Sequence, residues 1–113
     1  MSDSTMTNCA ETCHDCADAC MALIPHCLDH CAKNGHPVET EHINTLMDCA
    51  EICETTHNFI QRGSAHHAMA CAACAAVCEA CAKCCDALGI DDEPTRACAG
   101  ACRTCAESCN AMA

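Results

Sequence analysis

Aromatic side chains are almost missing from this chain: its 113 residues include one Phe and no Trp or Tyr. Large aliphatic residues are scarce as well. The 58 apolar residues are 22 Ala, 18 Cys and only 18 Val, Ile, Leu, Met or Phe. A large side chain is worth about 1.5–3 kcal/mol when fully buried. An ordinary oily core is therefore excluded, and cysteine must fill much of any interior. Basic residues are few, with 5 Lys and Arg against 16 Asp and Glu, for a net charge of −11. No basic patch exists to displace counterions, which argues against nucleic acid and anionic membranes as partners. No apolar run is read as approaching the roughly 18 residues that span a bilayer. The N-terminal MSDSTMTN lacks a positive region, an apolar stretch and a twin arginine. The expected location is therefore the cytoplasm, where thiols stay reduced. Alternating β-branched stretches are absent too, so strands are not expected.

What is present is helix former and punctuation. Asn34-Gly35 with Pro37, Gly63-Ser64, and Gly89 through Pro94 break the chain into four segments. Gly35, Gly63 and Gly89 fall where helix C-caps belong. Ser64 and Asp92 suit N-caps, and Pro37 and Pro94 suit first-turn positions. Ala, the best helix former, dominates between the breaks. The segments predict helices over 4–33, 38–62, 64–88 and 92–112, with Pro25 kinking or interrupting the first. Short connections make successive helices antiparallel. The expectation is one all-α domain over 1–113, an antiparallel up-down-up-down four-helix bundle.

Cysteine is about 16% of the chain, well above the roughly 8–10% that already marks an unusual scaffold. It falls at Cys9, Cys13, Cys16, Cys20, Cys27 and Cys31 in the first segment and at Cys49 and Cys53 in the second. The third carries Cys71, Cys74, Cys78, Cys81, Cys84 and Cys85, and the fourth Cys98, Cys102, Cys105 and Cys109. Steps of three and four are the rhythm of a bundle's inward face. Other side chains extend the stripe: Leu23 in the first segment, His42, Leu46, His57 and Ile60 in the second, and Met112 in the fourth. Glu11, Asp15, Asp18, Glu51, Glu54 and Glu79 lie off it and read as a solvated face, without the spacing of an oxygen cage.

Residues at i and i+4 stand on one helix face with Cβ atoms about 5–6 Å apart. Two thiolates so placed can converge on one ion. The pattern C-x-x-x-C occurs eight times, at 9/13, 16/20, 27/31, 49/53, 74/78, 81/85, 98/102 and 105/109. Soft thiolates select Cu(I), Zn(II) or iron–sulfur clusters. Four thiolates on one Zn(II) leave a double negative charge, and burying unpaired charge is expensive. Cu(I) needs as few as two thiolates and can share them, so about one Cu(I) per Cys leaves a neutral array. Zinc knuckles place paired Cys on loops rather than long helices. The run at 71, 74, 78 and 81 lacks ferredoxin spacing. A metallothionein-like Zn(II)/Cd(II) buffer is the alternative, and a disulfide-stapled module lacks an export signal. No Cys–His–acid constellation stands apart, so an enzyme is not expected.

Repeated C-x-x-x-C along four aromatic-poor segments resembles the bacterial copper storage proteins, over essentially the whole chain. The missing twin arginine places the resemblance with their cytosolic branch. It implies a homotetramer of bundles that stores or buffers Cu(I) on the eighteen Cys, without turnover chemistry. A copper chaperone or chelator is then the class of delivery partner. The second segment departs, because two Cys make the array lopsided there.

Antiparallel packing sorts the ends. One gathers Met6, Cys9, His57, Phe59, His66, His67, Met69, Cys109 and Met112. The other gathers Leu28, Cys31, Ile43, Leu46, Leu88 and Ile90, with His30, His36 and His42 nearby. The second is richer in aliphatics and is expected to be plugged. Cu(I) is expected to be admitted at the first, with His57, His66, His67, Met69 and Met112 as weaker exchange ligands. The plainer alternative is exposed helix-end His and gap-filling Met.

Overall fold

The computed structural model describes residues 3–113, which form four α-helices: α1 (Asp3–Asn34), α2 (Thr40–Gln61), α3 (His67–Ala87) and α4 (Glu93–Met112). At about 1.5 Å per residue, 32 residues of α1 span about 48 Å, which is the long axis of the 48 × 19 × 17 Å molecule. Each helix lays its backbone against two others, α1 against α2 and α4 and α3 against α2 and α4, while sulfurs alone meet across the diagonal, as Cys16 and Cys78 do at 4.0 Å. Contacts along each seam run in opposite senses. Cys16 meets Cys49 while Cys27 meets His42, and Cys9 meets Cys109 while Cys98 meets Cys20. The bundle is therefore antiparallel, with the sulfur stripes facing one central axis.

Gly35, Gly63 and Gly89 have φ of 66°, 65° and 68°. This left-handed geometry ends a helix without a Cβ penalty. Asp92 caps α4, its Oδ1 accepting from the Thr95 backbone N–H at 3.0 Å, and Pro94 follows in the first turn.

Three local expectations are corrected. α1 runs unbroken through Pro25. The carbonyl that loses its helical donor belongs to Met21, which is exposed, while the buried Cys20 and Cys27 hold the register on either side. Pro37 lies in the α1–α2 connection rather than in the first turn of α2, which starts at Thr40. Ser64 does not start α3: its hydroxyl accepts from the His66 N–H in a turn, and the helix begins at His67. A fourth correction concerns apolarity. By length and composition α3 is apolar enough to cross a membrane, but that apolarity is Ala and Cys, and its buried face lines the bundle axis.

Among the described residues only Leu23, Leu46, Ile60 and Met112 are large aliphatic side chains in the fully buried core. Sixteen of the eighteen Cys are buried with them. Sulfur thus takes the volume that branched side chains fill in an ordinary bundle.

Candidate metal centre

The 3-and-4 rhythm places most Cys one turn from the next on their own helix, with Cys20 and Cys27 two turns apart, and level with Cys on the neighbours. The thiols therefore stack as a column. All eighteen are free thiols, and sulfurs of facing helices lie 3.5–4.0 Å apart. Cys53 meets Cys78 at 3.5 Å and Cys74 at 3.7 Å; Cys16 meets Cys102 at 3.7 Å; Cys13 meets Cys109 at 3.6 Å and Cys105 at 3.7 Å.

Several four-sulfur groups lie within 4.8 Å of one another. They include Cys13/Cys74/Cys105/Cys109, Cys16/Cys49/Cys53/Cys78, Cys53/Cys74/Cys78/Cys105 and Cys20/Cys81/Cys98/Cys102. These groups overlap: Cys53, Cys74, Cys78 and Cys105 each belong to two. Ions occupying every group at once would share sulfurs, whereas Cys13/Cys74/Cys105/Cys109, Cys16/Cys49/Cys53/Cys78 and Cys20/Cys81/Cys98/Cys102 have none in common. All five Lys and Arg are exposed, so no cation compensates charge inside. An edge near 3.8 Å also suits four thiolates on one zinc, given a Zn–S bond of about 2.3 Å. Charge, rather than spacing, separates the two metals.

Protonation follows burial and contact. Desolvation pushes the Cys27 thiol up to about 11. It likewise pushes Cys71 up to about 12. Hydrogen bonding from Cys102 draws Cys98 down to about 4. Thiols that burial holds protonated must give up those protons when a metal binds.

The array is lopsided, as the sparse α2 predicts. Cys49 and Cys53 supply its only thiols. Toward one end they give way to buried Leu46, and toward the other to Thr56, whose hydroxyl donates to the Ala70 carbonyl at 3.2 Å, and to Ile60. Cys84 and Cys31 are half-buried rather than buried. The Cys84 thiol points to the Thr45 hydroxyl at 3.9 Å, and both cysteines line a cavity at the bundle end.

At the end expected to be plugged, Leu46 is buried and Ile43 and Leu88 pack against the core, yet a cavity opens beside them. The end expected to be plugged carries an opening of about 790 Å³, lined by His30, Cys31, His36, Glu39, His42 and Asp91 among others. Leu28, counted with the plug by position, is exposed, as is Val38 in the neighbouring connection. The opposite end has Ile60 and Met112 buried and Met6 packed against the core. The five residues expected to form the admission site are not gathered into one. Met112 is core, Met69 is 67% exposed, and His66 is exposed. His67 donates from Nδ1 to the Ser64 carbonyl at 3.0 Å, and His57 lies on the α1–α2 seam against the Ala10 carbonyl.

Sequence reasoning placed His42 on the inward stripe but gave it no role. It is 5% exposed, with Nε2 3.8 Å from the Cys27 sulfur and Nδ1 without a hydrogen-bond partner. Desolvation lowers its pKa, so a neutral imidazole sits between the cavity and the sulfurs. Its place in the stripe, four residues before Leu46, was the available signal.

The comparisons bear on this geometry. The profile of the copper storage protein family (Csp) matches residues 2–113. The chain belongs to the copper storage protein family. Among solved structures, apo copper storage protein 3 from Bacillus subtilis shares 36% identity with a TM-score of 0.78, covering 92% of this chain and 94% of that one. A cytosolic copper storage protein from Streptomyces lividans, solved with five coppers, shares 33% identity with a TM-score of 0.85, covering 97% and 92%. A Nitrosospira multiformis protein shares 35% identity with a TM-score of 0.83, covering 98% and 96%. Among curated proteins, no sequence matches the chain.

Proposed function

We propose that this chain stores Cu(I) in the sulfur column, with the eighteen Cys as ligands and up to about one ion per Cys. The observation that carries the reading is the uncompensated, shared array: overlapping four-sulfur groups with all five basic residues outside. Isolated Zn(II) on four thiolates would bury a double negative charge at each centre, whereas Cu(I) at one per thiolate is neutral. The Streptomyces relative, solved with five coppers and also loaded with ten copper equivalents, supports the same reading. Titration of reduced protein with Cu(I) against a competing chelator tests it. About one metal per Cys is expected, and about one per four would favour the Zn(II)/Cd(II) buffer.

Cu(I) is admitted, in this reading, through the His42 mouth. An orphaned buried imidazole nitrogen requires an explanation, and a passing soft ion supplies one. Glu39, Glu41, Asp91 and Asp92 around the cavity add a field that concentrates cations. The chain acts as a container rather than an enzyme. Binding and storage is the role of the family to which the chain belongs. By similarity to the cytosolic relative, the working location is the cytoplasm. A homotetramer and delivery by a copper chaperone or chelator complete the proposal, and light scattering of the purified protein tests the assembly.

A further inference from the structure

Outside the sulfur column, on the α1–α2 seam, the structure brings together His14 from α1 with Glu54 and His57 from α2. The two imidazole centroids are 5.4 Å apart, tilted by 41°. With Zn–N of about 2.0–2.1 Å and about 1.1 Å from nitrogen to ring centre, two imidazoles on a tetrahedral ion hold their centroids about 5 Å apart. Each ring is also oriented from behind. His57 Nδ1 lies 2.8 Å from the carbonyl of buried Ala10. A carbonyl only accepts, so Nδ1 carries the proton and Nε2 keeps its lone pair free. His14 Nε2 faces the Asp18 carboxylate at 3.5 Å, and its Nδ1 faces Glu54 Oε2 at 3.8 Å. Both separations are longer than the roughly 2.7–3.2 Å of a hydrogen bond. The second is of the size separating two donor atoms on one ion, about 3.4 Å for bonds of about 2.0–2.1 Å. Glu54 and His57 form a Glu-x-x-His pair one turn apart, and half-exposed His14 leaves a fourth position to water.

We propose that His14 Nδ1, Glu54 and His57 Nε2 form a surface site for a borderline divalent cation such as Zn(II), separate from the Cu(I) column. Asp18 and the Ala10 carbonyl act as the outer partners that fix ring orientation. Imidazole and carboxylate suit such ions and offer a poor match to soft Cu(I). The site joins α1 to α2, so an ion there clamps the half of the bundle that has the fewest sulfurs on its second helix.

The test uses the full chain, first saturated anaerobically with Cu(I) so that the thiols are occupied, then titrated with Zn(II). Calorimetry follows stoichiometry, and imidazole ¹⁵N chemical shifts follow the two histidines. One Zn(II) per chain is expected, with the His14 and His57 nitrogens moving together. Glu54→Gln is expected to weaken binding by at least the roughly 10–100-fold that losing an outer partner alone brings, and the His14→Ala/His57→Ala double variant to abolish it. His14→Ala alone should keep its helical circular dichroism and its Cu(I) capacity. Absence of Zn(II) binding to the copper-filled protein, or binding that survives in the double variant, overturns the proposal. Failure of the prior Cu(I) saturation would show separately, as a fault in the storage reading.

Discussion

The Met112 end and the His42 end close the same four helices with different material. At the first, Met112 and Ile60 are buried in the core with Cys9, Cys71 and Cys109, and Met6 packs against that core. At the second, buried Cys27 and His42 lie beneath an acidic cavity of about 790 Å³. One end buries scarce apolar side chains; the other leaves a neutral imidazole and two half-buried thiols between solvent and column. The difference teaches that aliphatic residues near an end do not make a plug unless their side chains turn inward. Leu28 and Val38 do not.

The contrast can be broken by substitution. Met112→Ala at the first end should destabilise the apo protein by about 2–5 kcal/mol, as buried Met→Ala changes do, while leaving the Cu(I) loading rate near that of the parent. Denaturant unfolding and stopped-flow loading check the two halves of that statement. Alkaline pH acts at both ends. Unfolded thiols titrate near 9.0, whereas Cys27 and Cys71 hold their protons to about 11 and 12. Above pH 9 the unfolded chain releases protons that the folded chain keeps. The stability these groups contribute is therefore complete below about pH 9 and is lost as pH rises through 11 to 12. Thermal melts of the apo protein at rising pH should show this fall.

At the open end, His42→Ala should slow Cu(I) loading about tenfold while changing capacity little, a barrier increase of about 1.4 kcal/mol. Equal loading rates in His42→Ala and Met112→Ala would erase the distinction between the ends. Asp92 sharpens it structurally. Its carboxyl is held at about 2, first by the Thr95 hydrogen bond and then by His26 at 2.8 Å. Asp92→Ala should cost about 0.5–2 kcal/mol, as lost N-caps do. In the parent that contribution is present above about pH 4 and is lost as pH falls toward 2. The smallest effect is expected at exposed Met69, where Met69→Ala should move neither melting temperature nor loading rate measurably.

Much of this molecule is legible in the sequence because one periodicity serves two purposes. The three-and-four spacing of Cys both makes the helices amphipathic and aligns the thiols, so bundle and column follow from the same residues. Three glycines at positive φ mark the helix ends as punctuation alone implies. Legibility fails where local preference yields to tertiary packing. Pro25 reads as a break, yet buried Cys on both sides carry α1 through it. Cys84 and Cys85 look alike in sequence, yet Cys84 turns half out toward Thr45 and Cys85 is buried. The cavity at the His42 end was hidden because it depends on how the connections around His36 and Asp91 fold back. His14 stayed unremarked because its partners, Glu54 and His57, are forty or more positions away.

The most direct measurement is an anomalous-scattering map of a crystal of this chain loaded with Cu(I). A continuous row of copper peaks is expected along the bundle axis, from the level of Cys9 and Cys109 to that of Cys27 and Cys85, with neighbouring ions sharing sulfurs. Isolated metal centres spaced one per four sulfurs, or an axis without metal, would contradict it.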